Sequence, residues 1–111
     1  MNALTATLFI KKLSLLKSIA ELKNVQRFFR DKNPKNKFLG VRMAAIFELA
    51  KHFIEMPLSE IENLLESEYY EARMGAVSIM DFQARNKKTT AKRKKELFDL
   101  YIKCHNRINN W

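Results

Sequence analysis

Glycine and proline are scarce, with two of each among 111 residues. Turn dipeptides are correspondingly rare, which argues against a fold of many short strands and for long helices. Cys104 is the single cysteine, so no internal disulfide can form and a reducing, cytoplasmic location is the simplest expectation. Cys104 stands beside His105, but His52 is remote in sequence, and that set lacks the spacing of a zinc site. The chain has no glycine-rich phosphate loop, no nucleophile elbow and no metal-binding helix motif, and no metal or other cofactor is expected. No apolar run reaches membrane-spanning length, so no membrane partner is expected. The apolar amino terminus precedes Lys11 and Lys12, the reverse of a secretory signal.

What is present is apolar content and positive charge. Hydrophobic residues make up 47% of the chain, which excludes a disordered protein, and the length suits one domain with a core. The 21 lysines and arginines against 12 acids leave a formal charge of +9, which points to a polyanionic partner such as nucleic acid.

Apolar residues recur at helical spacing along most of the chain. The first stretch, 3–22, carries Phe9, Leu13, Leu16 and Ala20, and Leu22, Val25, Phe28 and Phe29 continue it. Asn33-Pro34 breaks the pattern and makes 31–37 a loop. Gly40 precedes a helix over 41–56, with Ile46, Leu49, Ala50, Phe53 and Ile54 on one face and Pro57 ending it. Ser59 and Glu62 have capping-box spacing and open a short helix with Ile61, Leu64 and Leu65 inward. Ser67 is placed to cap a helix over 68–85, with Glu68 and Glu71 near its positive end and Ala72, Ala76, Ile79 and Met80 on its stripe. Val77 and Phe82 widen that stripe, so this helix is expected to be covered on two sides. Thr90 caps a last helix to Lys103, with Leu97, Leu100, Tyr101 and a half-buried Cys104 on its stripe. The fold expected is all-α, with five or six antiparallel helices stacked in pairs as a HEAT-like right-handed superhelix forming one domain over 1–111. A compact helical bundle fits the same pattern.

Charge is segregated. Arg27, Arg30, Lys32, Lys35, Lys37 and Arg42 form one basic cluster; Arg85, Lys87, Lys88, Lys92, Arg93, Lys94 and Lys95 form another. Alternate loops of stacked helices share an edge, so both clusters are candidates to grip a phosphate backbone, each neutralised phosphate releasing counterions. The intervening 48–71 stretch is acidic, and its carboxylates are expected mostly on solvated polar faces.

Four stretches in order resemble the DNA alkylation repair family of glycosylases. These are Lys37-Phe38-Leu39-Gly40-Val41-Arg42, Leu49-Ala50-Lys51, Glu71-Ala72-Arg73 with Ala76, and Arg107-Ile108-Asn109-Asn110-Trp111 after Leu100-Tyr101. The last looks like the start of the family's Ile-Asn-Asn-Trp-Asp-Leu-Val-Asp motif. The resemblance implies a superhelix of HEAT-like repeats that excises cationic N3- and N7-alkylated purines from double-stranded DNA. The lesion base already carries positive charge and leaves without protonation. The enzyme then stabilises an oxocarbenium-like sugar with a carboxylate and aromatic faces. Carried over by position, Trp111 matches the tryptophan that packs against the lesion's sugar. The catalytic aspartate ends the motif beyond Trp111, where this sequence stops, so the chain is expected to be a truncated, amino-terminal portion, inactive alone.

The candidate DNA-binding residues are Phe28, Arg30, Lys35, Lys37, Arg42 and Arg107, with Arg42 ending the loop that faces phosphates. The sequence departs from the family at three places: Phe28 replaces a frequent tyrosine, Met43-Ala44 replaces a common Val-Pro, and the 31–37 loop is short. A helical stack cut in mid-array also exposes an apolar face, so self-association is expected. A non-catalytic DNA-binding remnant and a helical-repeat scaffold for a protein partner are the competing readings.

Overall fold

The computed structural model describes residues 4–16 and 39–104. Five α-helices occur among them: α1 (Ala6–Ser14), α2 (Met43–Lys51), α3 (Leu58–Leu65), α4 (Tyr70–Arg85) and α5 (Ala91–Lys103). The architecture is all-helical, as the periodicity requires. Helix α4 is the hub and packs against each of the other four. Its stripe Ala72, Ala76, Ile79 and Met80 is buried, and Val77 and Phe82 are half-buried beside it. The long apolar surface read from the sequence is thus covered from more than one side.

Helix α1 starts at Thr5, whose hydroxyl accepts the Leu8 N–H at 3.1 Å. Phe9 and Leu13 are fully buried. The Phe9 ring meets Phe53 edge-on, centroids 5.0 Å apart and planes at 83°, a geometry worth about 1 kcal/mol beyond burial. Behind that ring lies Gly75 of α4, where a Cβ would collide with Phe9. Of the expected stripe, Leu16 is not buried: it is 47% exposed, and the helix ends at Ser14. There the Ser14 hydroxyl donates to the Ile10 carbonyl at 3.0 Å, a side-chain bond that competes with the helical ladder. The expected Ala20 and the 31–37 loop lie outside the described residues.

Helix α2 is shorter than its apolar pattern and stops at Lys51. The next segment continues in tighter bonds three residues apart, Phe53 N–H to Ala50 at 3.0 Å and Met56 N–H to Phe53 at 2.9 Å. Phe53 and Met56 stay buried all the same. Pro57 disfavours helical backbone at Met56. The Gln83 amide satisfies the carbonyls left over at this end, Ile54 at 2.6 Å and Met56 at 3.0 Å. Arg93 completes this knot, donating to the Met56 carbonyl and to Gln83 Oε1, both at 3.1 Å.

Two expected caps are corrected. Helix α3 begins at Leu58 with Pro57 as its N-cap, so Ser59 lies inside the first turn and forms no capping box. Glu62 instead binds Lys103 of α5 at 2.6 Å. Ser67 accepts the Tyr69 N–H at 3.1 Å in a local turn, and α4 starts at Tyr70 without a side-chain cap. Thr90 does cap α5, accepting the Arg93 N–H at 3.1 Å. On α5, Leu97, Leu100 and Cys104 are buried, whereas Tyr101 is 39% exposed. No described helix is long and apolar enough to cross a membrane.

Candidate nucleic-acid interface

The loop before α2 is shaped by one glycine and one carboxylate. Gly40 has φ 85°, the left-handed region that side chains disfavour. That conformation turns three consecutive backbone N–H groups toward Glu71 in the first turn of α4. Leu39 donates to Oε1 at 2.9 Å; Gly40 and Val41 donate to Oε2 at 2.8 and 3.3 Å. Glu71 is 1% exposed, which corrects its expected place on a solvated face. A carboxylate so buried is costly unless its oxygens are satisfied, and these three N–H groups together with the helix amino terminus satisfy them.

Arg73, buried two residues further on, secures the other side of the same turn. Its Nη1 donates to the carbonyls of Ser67 at 2.8 Å and Glu68 at 3.2 Å, fixing the chain as it enters α4. Ala76, fully buried, is small enough for close packing one turn later. Two of the stretches quoted from the sequence, Leu39-Gly40-Val41 and Glu71-Ala72-Arg73, therefore meet in space. Tyr70 is part of this neighbourhood. Burial, and then the adjacent Glu71 carboxylate, raise its phenol above the ordinary 10.0, while Arg73 opposes the shift.

Arg42 follows this clamped backbone immediately. It is exposed and serves as the N-cap residue of α2 in extended conformation, with no side-chain cap bond. Of the candidate residues, Arg42 is the one that the described structure places. Phe28, Arg30, Lys35, Lys37, Arg107 and Trp111 lie outside the described residues.

The second basic cluster, at the α4–α5 turn, is less uniform than its charge count. Arg85 binds Asp81 at 2.6 Å and lies 5.8 Å over the Phe82 ring. Lys95 binds Asp99 at 3.0 Å. Arg93 belongs to the Gln83 knot and supports the fold. Lys87, Lys88, Lys92 and Lys94 are exposed. Nearer the end of α5, the hydrogen bond to Glu62, and then its charge, hold the Lys103 ammonium above its ordinary value. Beside this cluster an apolar groove of about 490 Å³ runs between α4 and α5, lined by Val77, Met80, Ala84, Leu97, Phe98 and Tyr101. Phe98 is 63% exposed and Ile102 55% exposed on this side of the molecule.

Glu71 and Gln83 are the residues that composition did not mark. Glu71 had one signal, its place in the Glu-x-Arg segment; Gln83 had none beyond being polar on an apolar helix. No curated protein and no solved structure gives a significant match to the chain. A family model does: the pattern described as DNA alkylation repair enzyme matches residues 9–111, and the chain belongs to that family.

Proposed function

We propose that residues 1–111 form one helical-repeat unit that grips duplex DNA for a glycosylase of cationic N3- and N7-alkylpurines. The HEAT-like stacking that the resemblance implies is the architecture of this reading. The observation that carries it is the Glu71 clamp on Leu39-Gly40-Val41. It joins two family stretches and leaves Arg42 exposed at the end of a fixed loop. Exposed Lys87, Lys88, Lys92 and Lys94 supply further positive charge at another loop. Contacts of this type hold phosphates without reading bases.

A lesion purine that is already cationic needs a carboxylate beside the sugar, which in this reading is the aspartate of the family motif, while Arg42 and the exposed lysines supply the grip on the backbone. The test is a duplex-binding titration across salt concentrations. Binding that weakens as salt rises supports the reading. Binding that is absent or insensitive to salt overturns the DNA role. The exposed α5 face around Phe98 and Ile102 favours an accompanying reading, that the polypeptide self-associates there.

A further inference from the structure

Glu71 is too deeply buried to touch DNA, yet its carboxylate holds the backbone that leads directly into Arg42. Both carboxylate oxygens are engaged, Oε1 by Leu39 and Oε2 by Gly40 and Val41, across about thirty residues of sequence. Gly40 contributes the left-handed turn that lets three neighbouring N–H groups converge. Val41, the last of the three donors, is itself buried, so the backbone is held by packing as well as by the carboxylate. What the clamp adds is a defined position for the next residue. Arg42 is exposed and has no side-chain cap bond of its own.

We propose that Glu71 is a positioning residue for DNA contact, acting through the 39–41 backbone to present Arg42 to a phosphate. This rests on the DNA-binding reading above. A flexible loop would have to be ordered on binding, whereas a clamped loop has met that entropic cost on folding. The binding energy of the Arg42 contact is therefore available only while Glu71 holds the loop.

The test uses the full chain with Glu71→Gln, Arg42→Gln and the double variant, titrated against an unmodified DNA duplex at several salt concentrations. The glutamine keeps the size of the side chain but turns an NH₂ group toward backbone donors, so one or two of the three bonds are lost whichever way the amide sits. Hydrogen exchange at the 39–41 amides reports the clamp independently of DNA. The expected result is faster exchange in Glu71→Gln and an affinity lower by about ten-fold, with the logarithmic salt slope reduced by about one. Arg42→Gln weakens binding to a similar extent, and adding it to Glu71→Gln costs little more, because the contact is already lost.

Multiplying effects of the two substitutions would overturn the proposal. So would an Glu71→Gln protein with loosened amides and unchanged affinity and salt slope. If the unsubstituted chain shows no salt-dependent binding, the DNA reading itself falls. If it binds and Arg42→Gln is neutral, the DNA reading stands and this proposal alone falls. Should Glu71→Gln fail to fold, Gly40→Ala disturbs the same backbone with Glu71 intact, and the same cycle with Arg42→Gln decides the matter.

Discussion

Gly75→Ala puts the docking of α1 to a direct test. Gly75 lies inside α4, where alanine ordinarily gains about 1 kcal/mol over glycine through helix propensity. Here the added methyl would fall within the van der Waals envelope of Phe9 Cε1 and Cζ and would lie 3.5 Å from Cδ1. The ring cannot swing aside cheaply, because Phe9 is fully buried and its other side meets Phe53. Overpacking of this kind costs roughly 1–3 kcal/mol, and complete loss of a buried phenylalanine about 3–5 kcal/mol. After the propensity gain is subtracted, a net destabilisation of about 1 kcal/mol remains. For a chain of this size that lowers the melting temperature by about 5 °C in a circular-dichroism melt. Phe9→Leu, which removes the ring, should recover part of the loss in the double variant, so the two effects are not additive. A Gly75→Ala protein as stable as the parent, or strict additivity with Phe9→Leu, would refute the packing argument.

Two further outcomes follow from the described groups. The raised Tyr70 pKa means that the folded state favours the neutral phenol more than the unfolded chain does. This contribution to stability is complete below the ordinary value of 10.0 and is lost as pH rises past the folded-state value. Urea midpoints measured from about pH 8 to about pH 11 should fall more steeply in the parent than in Tyr70→Phe, and parallel curves would exclude the effect. Self-association through α5 should appear as a scattering mass that rises with protein concentration and falls back in Phe98→Glu. The net charge of +9 opposes it, so added salt should strengthen self-association while weakening DNA binding. A constant monomer mass at all concentrations would dismiss this contact.

The parts of the fold that were legible in the sequence are those where one residue's character decides its placement. Phe9, Leu13, Ile46, Ala50, Ile61, Leu64 and Ile79 repeat at helical spacing, and all are fully buried. Thr90 caps α5 because its partner lies three residues away. Legibility fails where the partner is distant. Glu71 is one acid among several near a helix start, and its acceptors' donors lie thirty residues back on a loop backbone. Ser59 and Glu62 have the right spacing for a cap, but Pro57 starts the helix earlier and Lys103 claims the carboxylate. Helix α2 gives way to tighter turns before Pro57, and Gln83 and Arg93 take the Ile54 and Met56 carbonyls from a distance in sequence that periodicity does not register. The family segments contained both partners of the Glu71 clamp, but their order in the chain did not say that the two meet. The candidate site was legible only at Arg42 among the described residues.

Charge counting fails for a related reason: a basic cluster in sequence is not a set of equivalent cations in space. Arg85 and Lys95 sit in exposed pairs four residues apart on a helix, and such pairs are worth about 0.3–0.5 kcal/mol. A phosphate can replace the carboxylate in either pair at little cost. Arg93 differs, because withdrawing it would leave the Oε1 of buried Gln83 unpaired and weaken the knot that holds the α2–α3 connection. Its positive charge still contributes to the local potential, but its donors are committed to the fold. The exposed lysines at 87, 88, 92 and 94 carry no such structural duty in the described fold. Each phosphate that a mobile cation neutralises steepens the salt dependence by about 0.9 in logarithmic slope. Substituting Arg93 would therefore confuse loss of fold with loss of charge, whereas Arg42 and the exposed lysines report on the interface itself.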